Sequence, residues 1–231
     1  MATKEIQLAS DKLPAHLKGI EEGRGNENVE INSMAIPRLK LIQKASHEVD
    51  PHHTDYRDDI KIGDFYNDLT QDNYGNELYA INVHFKSEYV VWKKREFGAG
   101  FGGNFDTMAD AQEAISNITQ QQGTSPDHYD INPTHNHVLL IKDSKTGELS
   151  KPVVFNLDRS KLRVSKSWNS QLQMKGGDRF AGLWQLKSVS TQNKKGDTFM
   201  ILDVAFTGWA HEEDYKRAEE LYTEIEQAGS M

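Results

Sequence analysis

The sequence predicts an α+β fold: a mainly antiparallel sheet or OB-like partial barrel with flanking helices and a C-terminal helix. Two apolar pairs point to it. VLLIKD and KPVVFNL bracket the turn residues SKTGELS, and FAGLWQLKSVSTQ and TFMILDVAFTGWA bracket NKKGD, both as β-hairpins require. The third sign is the order of elements, with helical periodicity between and after these hairpins.

Along the chain, residues 1–34 are polar and rich in Gly, Glu and Asn, and read as a mobile arm. In MAIPRLKLIQKAS, Pro37 fixes an extended start, and Leu39, Leu41 and Gln43 alternate as in a half-buried strand. KIGDFYND reads as a strand, and NELYAINVHFKSEYVVWKK as one long strand or two. DTMADAQEAISNITQQQ reads as a helix capped by Asp106 or Thr107, followed by a loop, GTSPDHYDINPTHN. SKLRVSKSWNSQLQM has Leu162, Trp168 and Leu172 near one helical stripe. HEEDYKRAEELYTEIEQA closes the chain with Tyr215, Ala218, Leu221, Tyr222 and Ile225 at helical spacing. Three parts follow: the arm over 1–34, one α+β domain over 35–210 and an acidic helix over 211–231.

Of 231 residues 36% are hydrophobic, enough to bury a core, and no apolar run approaches the ~20 residues of a membrane span. The first residues lack the apolar centre of a signal peptide. The absence of cysteine excludes disulfides and thiolate chemistry. A soluble protein of a reducing cytoplasm is expected. The formal net charge of -8 argues against indiscriminate coating of polyanions, yet the charge is unevenly spread. From Asp158 to Asp197, nine Lys/Arg face three Asp; from Thr198 to Met231, two Lys/Arg face eight Asp/Glu.

In VVWKKREFGAGFGGNF, Gly98, Gly100 and Gly103 satisfy G-x-G-x-x-G, but KKREF separates the strand from the first glycine. A dinucleotide turn needs its glycines directly between strand and helix, so no cofactor is expected. The stretch suits a single-stranded polynucleotide better. Trp92, Phe97 and Phe101 offer stacking faces, and Lys93, Lys94 and Arg95 can neutralise phosphates. The plainer reading folds the rings, Phe105 included, back into the core.

DRSKLRVSKSWNSQLQMKGGDRFAGLW repeats the chemistry. It holds Arg159, Lys161, Arg163 and Lys166, then Trp168, Lys175, Arg179 and Trp184. On one helix, Arg159, Arg163 and Lys166 would share a face. The plainer reading is a solvated cationic face with both tryptophans inside. The stripe of the last helix packs on the protein's own core or a sister subunit, or serves a partner. His52 and His53 adjoin, and His135 and His137 are two apart. With Asp127 or Asp130 the latter pair could hold Zn²⁺, but exposed loop histidines are expected and no metal site. No H-E-x-x-H or G-x-S-x-G motif occurs, and no enzyme is expected.

IPRLKLIQKASHEVD, VVWKKREFGAGFGG, LRVSKSWNSQ…FAGLWQLKSVSTQNKKGDTF and a closing G-W-A…Y together resemble a family of phage-encoded proteins, some of them single-stranded DNA-binding proteins. The resemblance spans most of residues 12–226 and extends to Drc-like proteins of phages that carry a virion RNA polymerase. It implies a non-catalytic role in DNA replication or transcription, in the cytoplasm of an infected bacterium. Expected partners are single-stranded DNA, a phage RNA or DNA polymerase, and further copies of the chain, but no membrane. The competing expectation is a protein that remodels a polymerase, or a particle component, without touching DNA.

Overall fold

The computed structural model describes residues 37–193 and 195–229; the arm expected over 1–34 lies outside them. The described chain runs β1 (Arg38–Leu41), β2 (Phe65–Asn67), β3 (Glu77–Lys93), β4 (Gly100–Phe105) and α1 (Met108–Gln122). Then come β5 (Tyr129–Lys142), β6 (Val153–Asp158), α2 (Leu162–Lys175), β7 (Gly182–Gln192), β8 (Thr198–Trp209) and α3 (Glu212–Ala228). All the strands join one sheet in the order β2-β1-β6-β5-β3-β7-β8, with β4 added to β3. Every pairing is antiparallel except β1 with β6. The sheet curls into a half-barrel flanked by the three helices.

β3 is the spine. One of its edges pairs with β5 along nearly its whole length. The other is divided, with β7 along Glu77–Ile81 and β4 along Tyr89–Lys93. Between these two partners the 3-10 turn Arg179–Ala181 packs against β3.

Inside the curl, Leu39, Leu41, Phe65, Leu139, Phe155, Leu157, Leu186 and Leu202 form the main core. α2 covers it with Trp168, which is fully buried and meets Trp184 edge-on at 6.0 Å. On the opposite face α3 lays Ala218, with Tyr215, Leu221 and Ile225, against Ile81, Val83 and Leu140. Its apolar stripe is therefore used on its own sheet. The Tyr215 hydroxyl donates to the Asp178 carboxylate at 2.7 Å, and that bond pushes the phenol up to about 12. Lys142 and Asp214 add an ion pair between β5 and α3. A smaller cluster joins α1, through Ala111 and Ile115, to Val91 and Tyr129.

Gln43 closes the curl. Its amide donates to the Met200 carbonyl and accepts from the Met200 N–H, both at 2.9 Å. One side chain thus pairs with the outer edge of β8 as a neighbouring strand would.

Thr107 caps α1 as expected, its hydroxyl accepting from Asp110 N at 3.1 Å. Two segments differ from expectation. Only Phe65–Asn67 of KIGDFYND is a strand; Lys61–Asp64 is a turn, closed by Asp64 N donating to Lys61 O at 3.0 Å. The expected loop GTSPDHYDINPTHN is largely strand, because β5 begins at Tyr129 after a 3-10 turn over Pro126–His128. Pro133 disguised it. That residue precedes the stretch flanked by β6, which starts at Thr134, and proline is tolerated where a strand is an edge.

Candidate nucleic-acid interface

The glycine-rich stretch forms the end of a finger in which β4 folds back along β3. Lys94 N donates to His128 O at 2.8 Å, and a 3-10 turn over Arg95–Phe97 leads into β4. Gly100 and Gly103 lie within β4, and no helix starts until Met108. Gly102 answers a different need from a phosphate cradle. A Cβ there would lie 2.6 Å from Val91 Cγ1, so only glycine lets the two strands approach this closely.

The phenylalanines of the finger divide. Phe105 packs inward toward α1. Phe101 meets Trp92 across the strand pair, edge to face at 5.4 Å, and the two remain 63% and 44% exposed. Phe97, 38% exposed, stacks on His128 at 3.8 Å. Lys94 is drawn toward Asp130 at 3.7 Å. Among the described residues Lys93 and Arg95 have no acidic partner.

The second block is arranged differently from the single helical face expected. Arg159 precedes α2, in a 3-10 turn and at a positive φ of 47°, so it does not continue the helical row of Arg163 and Lys166. Lys161 pairs with Asp158 at 3.3 Å. Arg163 and Lys166 are exposed on α2 and lack acidic partners among the described residues, while Trp168 and Trp184 are in the core. Lys175 sits over the Phe206 ring at 4.4 Å. Arg179 turns inward. Its guanidinium lies over the Phe85 ring at 5.1 Å, Nη2 donates to Asn169 Oδ1 at 3.0 Å, and burial pulls its pKa down to about 10.

Cross-strand partners share a face, so the register of β3 with β5 sorts these groups. Phe85–His137, Ser87–His135 and Val91–Ile131 lie on the side covered by α2 and α1. Trp92–Asp130 and Val90–Asn132 lie on the other, the side on which His84 meets Glu226 of α3 at 3.2 Å. The finger's exposed ring pair and the cations of α2 are thus on opposite faces of the β3–β5 ribbon. By the same alternation Lys93 is opposite Trp92, with Lys94 and Arg95 at the fingertip.

The α2 side has rings of its own, which were not singled out from the sequence as binding residues. Trp209 is 57% exposed and packs edge-on against Phe206 at 5.2 Å, the same ring that Lys175 covers. Gly182 lies opposite Trp209; a Cβ there would be 3.0 Å from both Phe206 Cε2 and Trp184 Nε1. The signal in the sequence was phase, since Trp209 falls out of step with the alternating Leu202, Val204 and Phe206.

His135 and His137 share a face as their spacing implies, but Asp127 and Asp130 do not join them. Both face α2, where the Ser165 hydroxyl lies 2.7 Å from His135 Nδ1 and 2.7 Å from His137 Nε2. Asn82 Nδ2 is 2.9 Å from His137 Nδ1, and the Trp168 ring stacks on His137 at 4.8 Å. One directed chain satisfies all of these bonds: Asn82 donates to His137, His137 to Ser165, and Ser165 to His135. It requires neutral imidazoles. Burial holds His137 well below the ordinary histidine range, helped by the charge of Arg179; burial and then Lys166 lower His135. Ser165 is fully buried, so this network ties α2 to the sheet.

No described helix is long and apolar enough to cross a membrane. Comparison with curated proteins and with solved structures gives no match. A family model, that of the Pam3 phage gp34-like protein, matches residues 3–230. With nearly the whole chain covered, this protein belongs to the Pam3 phage gp34-like family.

Proposed function

We propose that this protein is a non-catalytic binder of single-stranded DNA that acts in phage DNA replication or transcription. The observation that carries the reading is the Trp92–Phe101 pair, held open to solvent on one face of the finger whose end carries Lys93, Lys94 and Arg95. A folded chain gains by covering such rings, and base stacking on them is worth about 1–3 kcal/mol per base whatever the sequence. The cations of the fingertip supply the phosphate contacts. A longer strand reaches the second set, formed by Arg163, Lys166, Lys175 and Trp209 with Arg159 and Lys161 at the start of α2. Arg179, turned toward Phe85, positions the turn between α2 and β7.

Titration of tryptophan fluorescence with oligo-dT at two salt concentrations tests this. Quenching is expected, with log affinity falling against log salt by about 0.7 for each phosphate neutralised. Binding that ignores salt, or no binding at low salt, overturns it. The competing role, as a partner of a phage RNA or DNA polymerase that does not touch DNA, predicts capture of the polymerase from nuclease-treated lysate by a protein that leaves oligo-dT unbound.

A further inference from the structure

Apart from both ring–cation sets, the connection between β1 and β2 carries HEVDPHHTD, residues 47–55. Backbone bonds fold it on itself: Asp50 N to His47 O at 3.1 Å, His53 N to Asp50 O at 2.9 Å, and Arg57 N to Glu48 O at 2.9 Å. These turns lay His47 on His53, their rings stacked with centroids 3.8 Å apart. They also return Asp55 to His53, with Oδ2 3.6 Å from Nδ1. One nitrogen of each imidazole and one carboxylate oxygen of Asp55 lie within 4.8 Å of one another.

We propose that His47, His53 and Asp55 bind one Zn²⁺ ion. Imidazole nitrogen and carboxylate oxygen are the donors this borderline ion takes, at about 2.0–2.2 Å each. Tetrahedral ligand atoms at that range are about 3.4 Å apart, so the set closes by side-chain rotation that unstacks the two rings and turns their nitrogens toward one point. His53 Nδ1 carries no proton, since it accepts from Asp55 N at 3.1 Å, and an ion between it and the carboxylate would take that lone pair in place of the N–H. The carboxylate supplies the negative charge that two neutral rings lack. Three protein ligands leave a fourth position for water.

His52 gives an internal control, because it is exposed in the same segment but outside the triad. Titration calorimetry of the full chain with zinc chloride, without DNA, should saturate at one ion per chain. Tm should rise with zinc, and Co²⁺ should give the visible bands of a tetrahedral site. His47→Ala and His53→Ala should each weaken binding by about tenfold or more, as removing even an outer partner of a metal ligand does; His52→Ala should bind as the parent does. Circular dichroism at matched pH checks that each variant is folded. No saturable uptake by the parent, or loss in His52→Ala with retention in His53→Ala, overturns the proposal.

Discussion

Trp92 and Phe101 separate a binding role from a structural one, because both remain in solvent in the folded chain. Trp92→Ala and Phe101→Ala should each weaken oligo-dT binding by about 1–3 kcal/mol, roughly 5- to 150-fold, while Tm stays close to the parent's. Equal loss of stability and affinity would assign the pair to packing. Ser165 is the opposite case. Ser165→Ala removes the hydroxyl shared by His135 and His137 and leaves ring nitrogens without their partner, at a cost of about 1–3 kcal/mol in urea unfolding. The same histidines give a pH dependence of known sign. Both are depressed when folded, whereas the unfolded chain takes up protons near pH 6.5. Their contribution is full above about pH 6.5 and is lost as pH falls through that value toward the lower folded pKa. The urea midpoint of the parent should drop between pH 7 and pH 5, and His137→Gln should flatten the drop.

Gln43 shows how one side chain can act as part of an element. Gln43→Ala removes both bonds to Met200 and should cost about 1–3 kcal/mol. Gln43→Glu should cost more, because a carboxylate sets an acceptor against the Met200 carbonyl. Comparison of the two denaturation midpoints checks this order. The helices were legible because their signals are local. Thr107 caps α1 and Gly123 ends it with φ 62°, and the stripe from Tyr215 to Ile225 marks α3. The hairpin β7–β8 was legible for the same reason, through the turn residues at its tip. The first half of β5 was not. Its support is the distant β3, paired from Lys93 inward, and Pro133 masks the alternation of Tyr129 and Ile131.

For the folded chain as a whole, the two ring–cation sets lie on opposite faces. Under the proposed function, a short strand should occupy the finger alone and a longer one should continue round to α2. With Lys93, Lys94 and Arg95 engaged, a six-nucleotide dT should give a salt slope of about -2.1. Arg159, Lys161, Arg163, Lys166 and Lys175 should take a thirty-nucleotide dT to about -5.6. Arg163→Ala with Lys166→Ala should therefore weaken only the longer oligonucleotide, as anisotropy titrations of both lengths would reveal. A slope independent of length would confine binding to one face.

The residue types were plain in the sequence: rings beside cations in two blocks, histidines two apart, glycines in a run. Their periodicity was plain too, because helix and strand repeats depend on near neighbours alone. Where those side chains face was not. It depends on the register of β3 with β5 and on the irregularities at Asn82/His84 and Val91/Trp92, which arise only when distant strands pair. Because successive side chains on a strand alternate, a shift of one residue turns each of them to the other face. That sensitivity is why Trp92 and Arg163 can belong to matching motifs and yet lie on opposite sides of one sheet.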